Sequence, residues 1–315
     1  MTTQPDAAPA ATESRGGRFT FIDGLRGLAA LSVALHHIFR YGPLAEAANS
    51  IVPRWFEELH HYGSIGVQVF FVISGFVIAF TIRQAQITSG YVGNFVWRRV
   101  IRLDPPYWLT ALGVAALSWW VLWLVAPLGE SAGEATLSQR WARNYIAMQP
   151  GKEVLAPTGP QCLLHLVYLQ NLFDYENLSV GFWTLCIEVQ FYLAFILLTA
   201  IAQLLAGWKP RPGTQAEVPT LRSLASWLGV FGPLAVASLW IFNTADGHEP
   251  WLTRYFCFFF LGVLAWWHYE GKIPAGIFLT YCGLMAARVG WLAYFAGWSS
   301  IYTVKMGVAL STGLA

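Results

Sequence analysis

Charged side chains are scarce in this sequence, since only 11% of its 315 residues are Asp, Glu, Lys or Arg. Soluble domains carry about 25%, so the composition excludes an ordinary soluble globular protein. The formal net charge of +2 is too small to indicate nucleic-acid binding. The four cysteines include no CxxC pair, which argues against a metal site or a disulfide framework and favours buried thiols.

Apolar runs fill most of the chain, and several reach the roughly 20 residues that a bilayer-spanning helix needs. They do not alternate as the strands of a membrane barrel do. The sequence therefore predicts an all-α polytopic transmembrane helical bundle of about 8–10 spans over residues 19–315, with no soluble domain. The predicted spans are Phe21–Tyr41, Ile65–Ile82, Tyr107–Leu128, Ser179–Gly207, Ala225–Phe242, Leu252–Tyr269, Ile273–Phe295 and Ile301–Ala315. The last run stops without a polar tail, which suggests a short or truncated C-terminus.

The basic residues predict the orientation in the membrane. Residues 1–18 are rich in small and polar residues, which predicts a disordered cytoplasmic tail. Arginines flank the start of the first span, and four more follow the second within twenty residues. This positive-inside pattern predicts an integral inner (plasma) membrane protein with a cytoplasmic N-terminus. Pro105-Pro106 should precede the start of the third span.

Four other features of the sequence carry simpler expectations. The pair His60-His61 lies between the first two spans and should be solvated or interfacial, with substrate gating as the alternative. Gly129–Pro160 should form an outer loop. Gln161–Phe173 is too short to span securely and should be re-entrant or interfacial. The small pair Ser74-Gly75 should allow close helix packing.

The first span carries ionisable residues on one face. Arg26 and His37 are eleven residues apart, a step that returns to nearly the same side of a helix. Such groups inside apolar spans suggest a functional site, and His37 could act as a general base near neutral pH. Structural alternatives are a buried, satisfied imidazole and a helix-entry anchor pairing Arg26 with Asp23. His36 points about 100° away and is the weaker candidate.

Two further clusters lie on later segments. Arg99 and Arg102 share a helical face and could hold phosphates by charge-assisted hydrogen bonds; lipid-headgroup contact is the alternative. Glu188 lies with Thr184 and Tyr192 on a polar stripe of the fourth span. Its carboxylate could orient a histidine or form a buried structural ion pair.

Together these segments resemble the acyltransferase-3 family of integral membrane acyltransferases. DGLRGLAALSVALHH is similar to the family's opening motif, in which an Arg and a His fall on Arg26 and His37. GVQVFFVISGFVI resembles its second-helix signature. RRVIRLDPPYW resembles its Arg-x-x-Arg and Pro-x-Tyr segment, and WTLCIEVQFYL its segment around Glu188. RYFCFFFLG matches more loosely. Gln68 and Val189 depart from the pattern, because acidic residues are usual at both positions.

The resemblance implies an acyl-CoA donor, with acetyl-CoA as the default, and a hydroxyl acceptor on a cell-surface glycan, a lipid-linked sugar or a similar molecule. It implies catalytic roles for His37, Arg26 and Glu188, and donor contacts for Arg99, Arg102 and Tyr107. No bound cofactor is expected, and the sequence does not indicate an oligomeric state. The alternative is a non-catalytic transporter or flippase for a polar lipid or glycan, in which the same ionisable groups would line a transport path.

Overall fold

The computed structural model describes residues 19–40, 45–83, 85–125, 157–207, 221–244, 247, 249–297 and 301–315. Within these ranges the chain forms eleven α-helices and no strand. The helices are α1 (Thr20–Arg40), α2 (Ala45–Ile51), α3 (Arg54–His61), α4 (Gly66–Thr81), α5 (Ser89–Val125), α6 (Gly159–Leu166), α7 (Phe182–Leu205), α8 (Leu221–Ala237), α9 (Leu252–Tyr269), α10 (Ala275–Ala296) and α11 (Ile301–Leu314). The predicted N-terminal tail and residues 129–156 of the predicted outer loop lie outside the described residues.

The predicted all-α bundle is confirmed. In the described part of the chain, five helical segments are long and apolar enough to cross a membrane. They are α4 with the turn before it, α5, α7, α8 with its extension to Phe242, and α10. Helices also form at the other three predicted spans, as α1, α9 and α11. The protein is a multi-pass membrane protein with a helix at each of the eight predicted positions, although only five meet this length and hydropathy criterion.

Helices α4 and α9 pack against each other at the centre of the bundle. A Cβ atom on Gly75 would overlap the carbonyl of Phe259, and one on Gly262 would overlap the carbonyl of Val72. The two backbones are therefore in contact, as the small pair in the second span predicts. Phe191 of α7 stacks on Phe259 with ring centroids 4.0 Å apart, which ties a third helix to this core.

Helix α1 runs antiparallel to α4. At one end, the rings of Phe76 and Phe80 lie edge-on to Phe19, just before α1. Nearer the other end, Ser32 Oγ donates a hydrogen bond of 3.0 Å to the carbonyl of Gly63, in the 3₁₀ turn before α4. This pairing places the polar residues of α1 beside α4, inside the bundle.

The predicted start of the third span at Tyr107 is wrong. Helix α5 begins at Ser89 and continues to Val125 with Pro105 and Pro106 inside it. A proline removes one intrahelical hydrogen bond, but membrane helices tolerate this where neighbouring groups satisfy the freed carbonyl. As a consequence, Arg99 lies on the same helix as the apolar span and not in a loop.

The expectation that the pair His60-His61 is solvated or interfacial agrees with the exposure of His61, whereas His60 is buried inside the protein. His60 is 5% exposed, because α3 folds back on the end of α1. Its ring stacks on Phe39 with centroids 4.8 Å apart, and its Nε2 donates to Asn49 Oδ1 over 3.0 Å. His61 is exposed, and Arg40 Nη1 donates to its Nδ1 over 3.4 Å.

Two smaller expectations are met in the described residues. The segment Gln161–Phe173 forms the short helix α6 and a 3₁₀ turn at Gln170–Phe173, so it does not span. The expectation of buried thiols is met for Cys186, Cys257 and Cys282, whereas Cys162 is half-buried.

Candidate active site

A cavity of about 540 Å³ opens between α1, α4, α5, α7 and α11. Five of the six predicted site residues line it, although they come from three separate helices. We call these five the cavity cluster, which consists of Arg26, His37, Arg99, Arg102 and Glu188. The other polar side chains of the lining are His36, Ser64, Gln68, Ser74, Thr184, Tyr192 and Lys305. The bundle therefore brings together residues up to 279 positions apart, Arg26 and Lys305, in a single polar chamber.

Two neighbouring histidines line the cavity from α1. His37 Nδ1 donates to the carbonyl of Val33 over 2.7 Å, and His36 Nδ1 donates to the carbonyl of His60 over 2.9 Å. A carbonyl oxygen can only accept a hydrogen bond, so each neutral ring carries its proton on Nδ1. The lone pair then lies on Nε2. His37 in this tautomer has the form that a general base requires.

Glu188 is held by two hydroxyl groups. Ser74 Oγ of α4 donates to Glu188 Oε1 over 3.0 Å, and the hydroxyl of Tyr192 donates to the same oxygen. The guanidinium of Arg99 lies over the Tyr192 ring, 4.5 Å from its centroid. The carboxylate is thus fixed within a Ser–Glu–Tyr group. Nδ1 of His37 is bound to a backbone carbonyl instead of to this carboxylate.

Positive charge predominates in the cavity lining. Glu188 is the one carboxylate among its described residues, against three arginines and Lys305. Within the described chain, Arg26 and Arg102 take part in no ion pair. Guanidinium groups form bidentate hydrogen bonds with phosphates and carboxylates. A cavity with this charge balance favours an anionic ligand.

Tyr107 is the predicted site residue that the structure places elsewhere. It is buried on the side of α5 that faces α6 and α7, where its ring stacks on Tyr168 with centroids 4.5 Å apart. Gln170 Nε2 donates to its hydroxyl over 3.4 Å. Eight residues separate Arg99 from Tyr107, a rotation of about 80° on a helix. The position of Tyr107 therefore does not support the predicted contact with the acyl-CoA donor.

Tyr107 belongs to a second polar group, which we call the packing cluster: Asp104, Tyr107, Tyr168, Gln170 and Cys186. The hydroxyl of Tyr168 donates to Asp104 Oδ1 over 2.8 Å, and Gln170 Nε2 lies 2.9 Å from Cys186 Sγ. Burial, together with the Asp104 carboxylate, raises the pKa of Tyr168. Hydrogen bonds join the members of this cluster to one another inside the protein.

His165 supports the packing cluster from α6. Its Nδ1 donates to the carbonyl of Gln161 over 2.8 Å, and its Nε2 accepts from the backbone N–H of Leu178 over 3.1 Å. Burial lowers the pKa of His165. Both ring nitrogens are used in the neutral form, which identifies this histidine as structural.

Sequence reasoning missed one charged residue of the cavity and underrated another polar one. Lys305 lies within the apolar final run, where an isolated cation is itself a signal of function. His36 lines the cavity beside the predicted base, although the angle between consecutive residues indicated otherwise. The sequence indicates Ser74 only as a small residue for helix packing. No local pattern could show that its hydroxyl meets Glu188, which is 114 positions away.

Comparison with known proteins gives the family. The chain matches the family described as an acyltransferase domain over residues 19–313. The chain belongs to the acyltransferase-3 family. No solved structure matches it.

Two known proteins are similar to this acyltransferase-3 protein along most of its length. Nodulation protein 10 of Rhizobium leguminosarum bv. viciae is 24% identical over 303 residues, which cover 90% of this chain and 70% of the relative. A protein of Komagataeibacter xylinus named "Putative membrane-bound transacylase BcsY" is 27% identical over 277 residues, which cover 85% of this chain and 56% of the relative. Family membership and the bundle together define a membrane protein of the acyltransferase class.

Proposed function

We propose that the protein transfers an acyl group, with acetyl as the default, from acyl-CoA to a hydroxyl group of a cell-surface glycan, a lipid-linked sugar or a similar acceptor. The observation that carries this proposal is the convergence of Arg26, His37, Arg99, Arg102 and Glu188 on one cavity. The name of the Komagataeibacter relative, which describes a membrane-bound transacylase, agrees with acyl transfer.

The arginines are proposed to bind the donor. Arg102 is exposed, Arg99 is half-buried, and both line the cavity, so their guanidinium groups offer paired donors to the CoA phosphates. Arg26 lies eleven residues from His37, roughly 16 Å along α1. That distance is too long for both side chains to contact the thioester carbonyl. Arg26 is therefore assigned to a part of acyl-CoA that is remote from the thioester.

His37 is proposed as the general base. Its Nε2 accepts the proton of the acceptor hydroxyl while the hydroxyl oxygen attacks the thioester carbonyl carbon. A C–O bond forms, the C–S bond breaks, and CoA leaves as a thiolate that takes the proton back from the imidazolium. The hydrogen bond from Nδ1 to the Val33 carbonyl favours this direction of proton transfer, because it keeps Nε2 as the basic nitrogen.

Glu188 is proposed to act by position and charge. Its hydrogen bonds to Ser74 and Tyr192 fix a carboxylate in the cavity close to Arg99, which lies over Tyr192. This arrangement supports a role in holding Arg99 in the donor site. It does not support the earlier expectation that Glu188 orients His37 directly.

The orientation in the membrane is part of the proposal. Arg83, Arg98, Arg99 and Arg102 lie after the second span, as expected for the cytoplasmic side. We place the N-terminus in the cytoplasm of a cell with an inner or plasma membrane, where acyl-CoA is available. Membrane lipids then surround the bundle and the acceptor reaches His37 from the other side.

The test follows radiolabel from acetyl-CoA in membranes that contain wild-type protein, His37→Ala or Arg102→Ala at matched expression. We expect base-labile label in extractable glycan or lipid-linked sugar with the wild type only. Equal transfer by the wild type and both variants would overturn the assigned site. An absence of transfer by the wild type would overturn the enzymatic proposal and favour the transporter alternative.

A further inference from the structure

Lys305 is the one charged residue of the cavity lining that the donor site leaves unused. It lies on α11, a helix whose other residues are apolar or uncharged, and it lines the cavity. Among the described residues it makes no hydrogen bond and no ion pair. A lysine in an apolar helix is costly, so its presence on the cavity wall calls for a ligand.

The charges around Lys305 support the same conclusion. Glu249 is paired with Arg254 of α9 at 3.0 Å. Glu188, the carboxylate of the described lining, is bound by Ser74 and Tyr192. Neither acidic group compensates Lys305, so the positive charge is available to a bound molecule.

Lys305 is separated from the arginines that are assigned to the donor. Helix α11 packs on α4, α9, α10 and the turn at Gly63–Ile65. Arg99 instead lies on α5 against Tyr192 of α7. That turn is hydrogen-bonded to α1 through Ser32, only four residues before His36, so α11 borders the histidine part of the cavity. The acceptor hydroxyl must approach His37, so its binding site belongs on this side.

We propose that Lys305 binds a negatively charged group, a phosphate or a carboxylate, on the hydroxyl acceptor. The acceptor is therefore an acidic glycan or a sugar phosphate, including a lipid diphosphate-linked sugar, and not a neutral sugar. This inference rests on the proposed acyl transfer. Lysine suits the role because its ammonium group is a compact point charge on a flexible stem that can follow different anions.

The first experiment measures the charge of the natural product. Membranes that contain the wild-type protein are incubated with radiolabelled acetyl-CoA, and the base-labile product is applied to an anion exchanger at pH 7. We expect retention. Mild acid, which cleaves a sugar diphosphate, and carbodiimide followed by borohydride, which reduces a carboxylate, distinguish the two sources of charge. A product that elutes as a neutral compound would overturn the inference.

The second experiment uses Lys305→Gln and Lys305→Arg, with Ser311→Ala as the matched control because Ser311 is exposed on the same helix. The probe is the acceptor-containing extract of these membranes, titrated at fixed acetyl-CoA. We expect Lys305→Gln to raise the KM for the extract about ten- to hundredfold, the effect of losing one hydrogen bond to a charged group. Lys305→Arg should retain most of the affinity, and neither variant should change the KM for acetyl-CoA.

The results separate this inference from the proposed function. Wild-type transfer with a raised KM for acetyl-CoA in Lys305→Gln would assign Lys305 to the donor and overturn the inference alone. Unchanged kinetics in Lys305→Gln would overturn it too. Failure of the wild type to transfer label would remove the proposed function, and the acceptor site with it.

Discussion

Two polar groups share helix α5 but differ in how their charges and hydrogen bonds are satisfied. The packing cluster, with Asp104 and Tyr107 on one side of α5, is buried and its members bond to one another. The cavity cluster, with Arg99 and Arg102 on another side, faces an open chamber. The motif RRVIRLDPPYW therefore supplies one face of α5 that stabilises the fold and another that lines the candidate active site.

The difference shows how to recognise function among buried polar residues. A polar group that is satisfied by its neighbours stabilises the fold, whereas cations that lack a partner inside a membrane protein indicate a ligand. Variants of the cavity cluster other than Glu188, which Ser74 and Tyr192 hold, should consequently change activity and leave stability intact. Variants of the packing cluster should do the reverse.

The largest effect is expected for His37→Gln. Loss of the general base should lower kcat by about 10²–10⁴-fold, while the melting temperature stays close to the wild-type value. Label transfer from acetyl-CoA measures the rate, and thermal unfolding in detergent measures stability. His61→Gln is the control, because His61 is exposed and outside the cavity. A variant at position 37 that unfolds early but transfers label normally would place His37 with the structural residues.

Arg102→Ala is expected to have the second largest effect on activity. It removes a guanidinium group from the proposed phosphate site, and we expect the KM for acyl-CoA to rise about ten- to hundredfold. Arg98→Ala is a matched control, because Arg98 is exposed four residues earlier on α5 and does not line the cavity. Equal effects of the two substitutions would mean that the basic segment acts through general charge alone.

Tyr168→Phe tests the packing cluster. The substitution deletes the hydroxyl that donates to the Asp104 carboxylate, which is 7% exposed. Leaving a buried acceptor short of its partner should lower the free energy of unfolding by about 1–3 kcal/mol, with the KM for acyl-CoA unchanged. Tyr175→Phe, at a more exposed position, serves as the reference. A change in KM without a change in stability would join the two clusters functionally.

The smallest effect is a pH dependence of stability from His165. Burial lowers its pKa in the folded protein, whereas the unfolded chain has a value of about 6.5. The unfolded state then binds more protons below that pH, so the stabilisation is present above pH 6.5 and is lost as the pH falls toward the lowered folded value. Melting temperatures at pH 7.5 and 5.5 should differ less in His165→Gln than in the wild type. Identical differences would assign the acid sensitivity to another group.

Much of the fold was predictable because bilayer thickness fixes the length of an apolar run. All eight predicted spans are helical, and the start of α5 is the main error, since Pro105-Pro106 resembles a helix boundary in sequence. The helix continues because its neighbours in three dimensions decide whether a proline is tolerated, and those neighbours are distant in the chain.

The site was predictable where one helix carried the pattern and unpredictable where contact between helices created it. Periodicity places Arg26 and His37 on one face of α1, and both line the cavity. The contact of Ser74 with Glu188, by contrast, depends on how α4 packs against α7. Lys305 could be identified from the sequence alone, because it is a single cation within an apolar run.

The backbone contact between α4 and α9 has a consequence for how this protein can vary. Ser74, whose hydroxyl binds Glu188, directly precedes Gly75, whose missing side chain admits the Phe259 carbonyl. A methyl group at position 75 would push α4 away from α9 and carry the Ser74 hydroxyl with it. Gly75 and Gly262, which do not line the cavity, thus determine the shape of the chamber. Mutational tolerance should be lowest on the face of α4 that lies away from it.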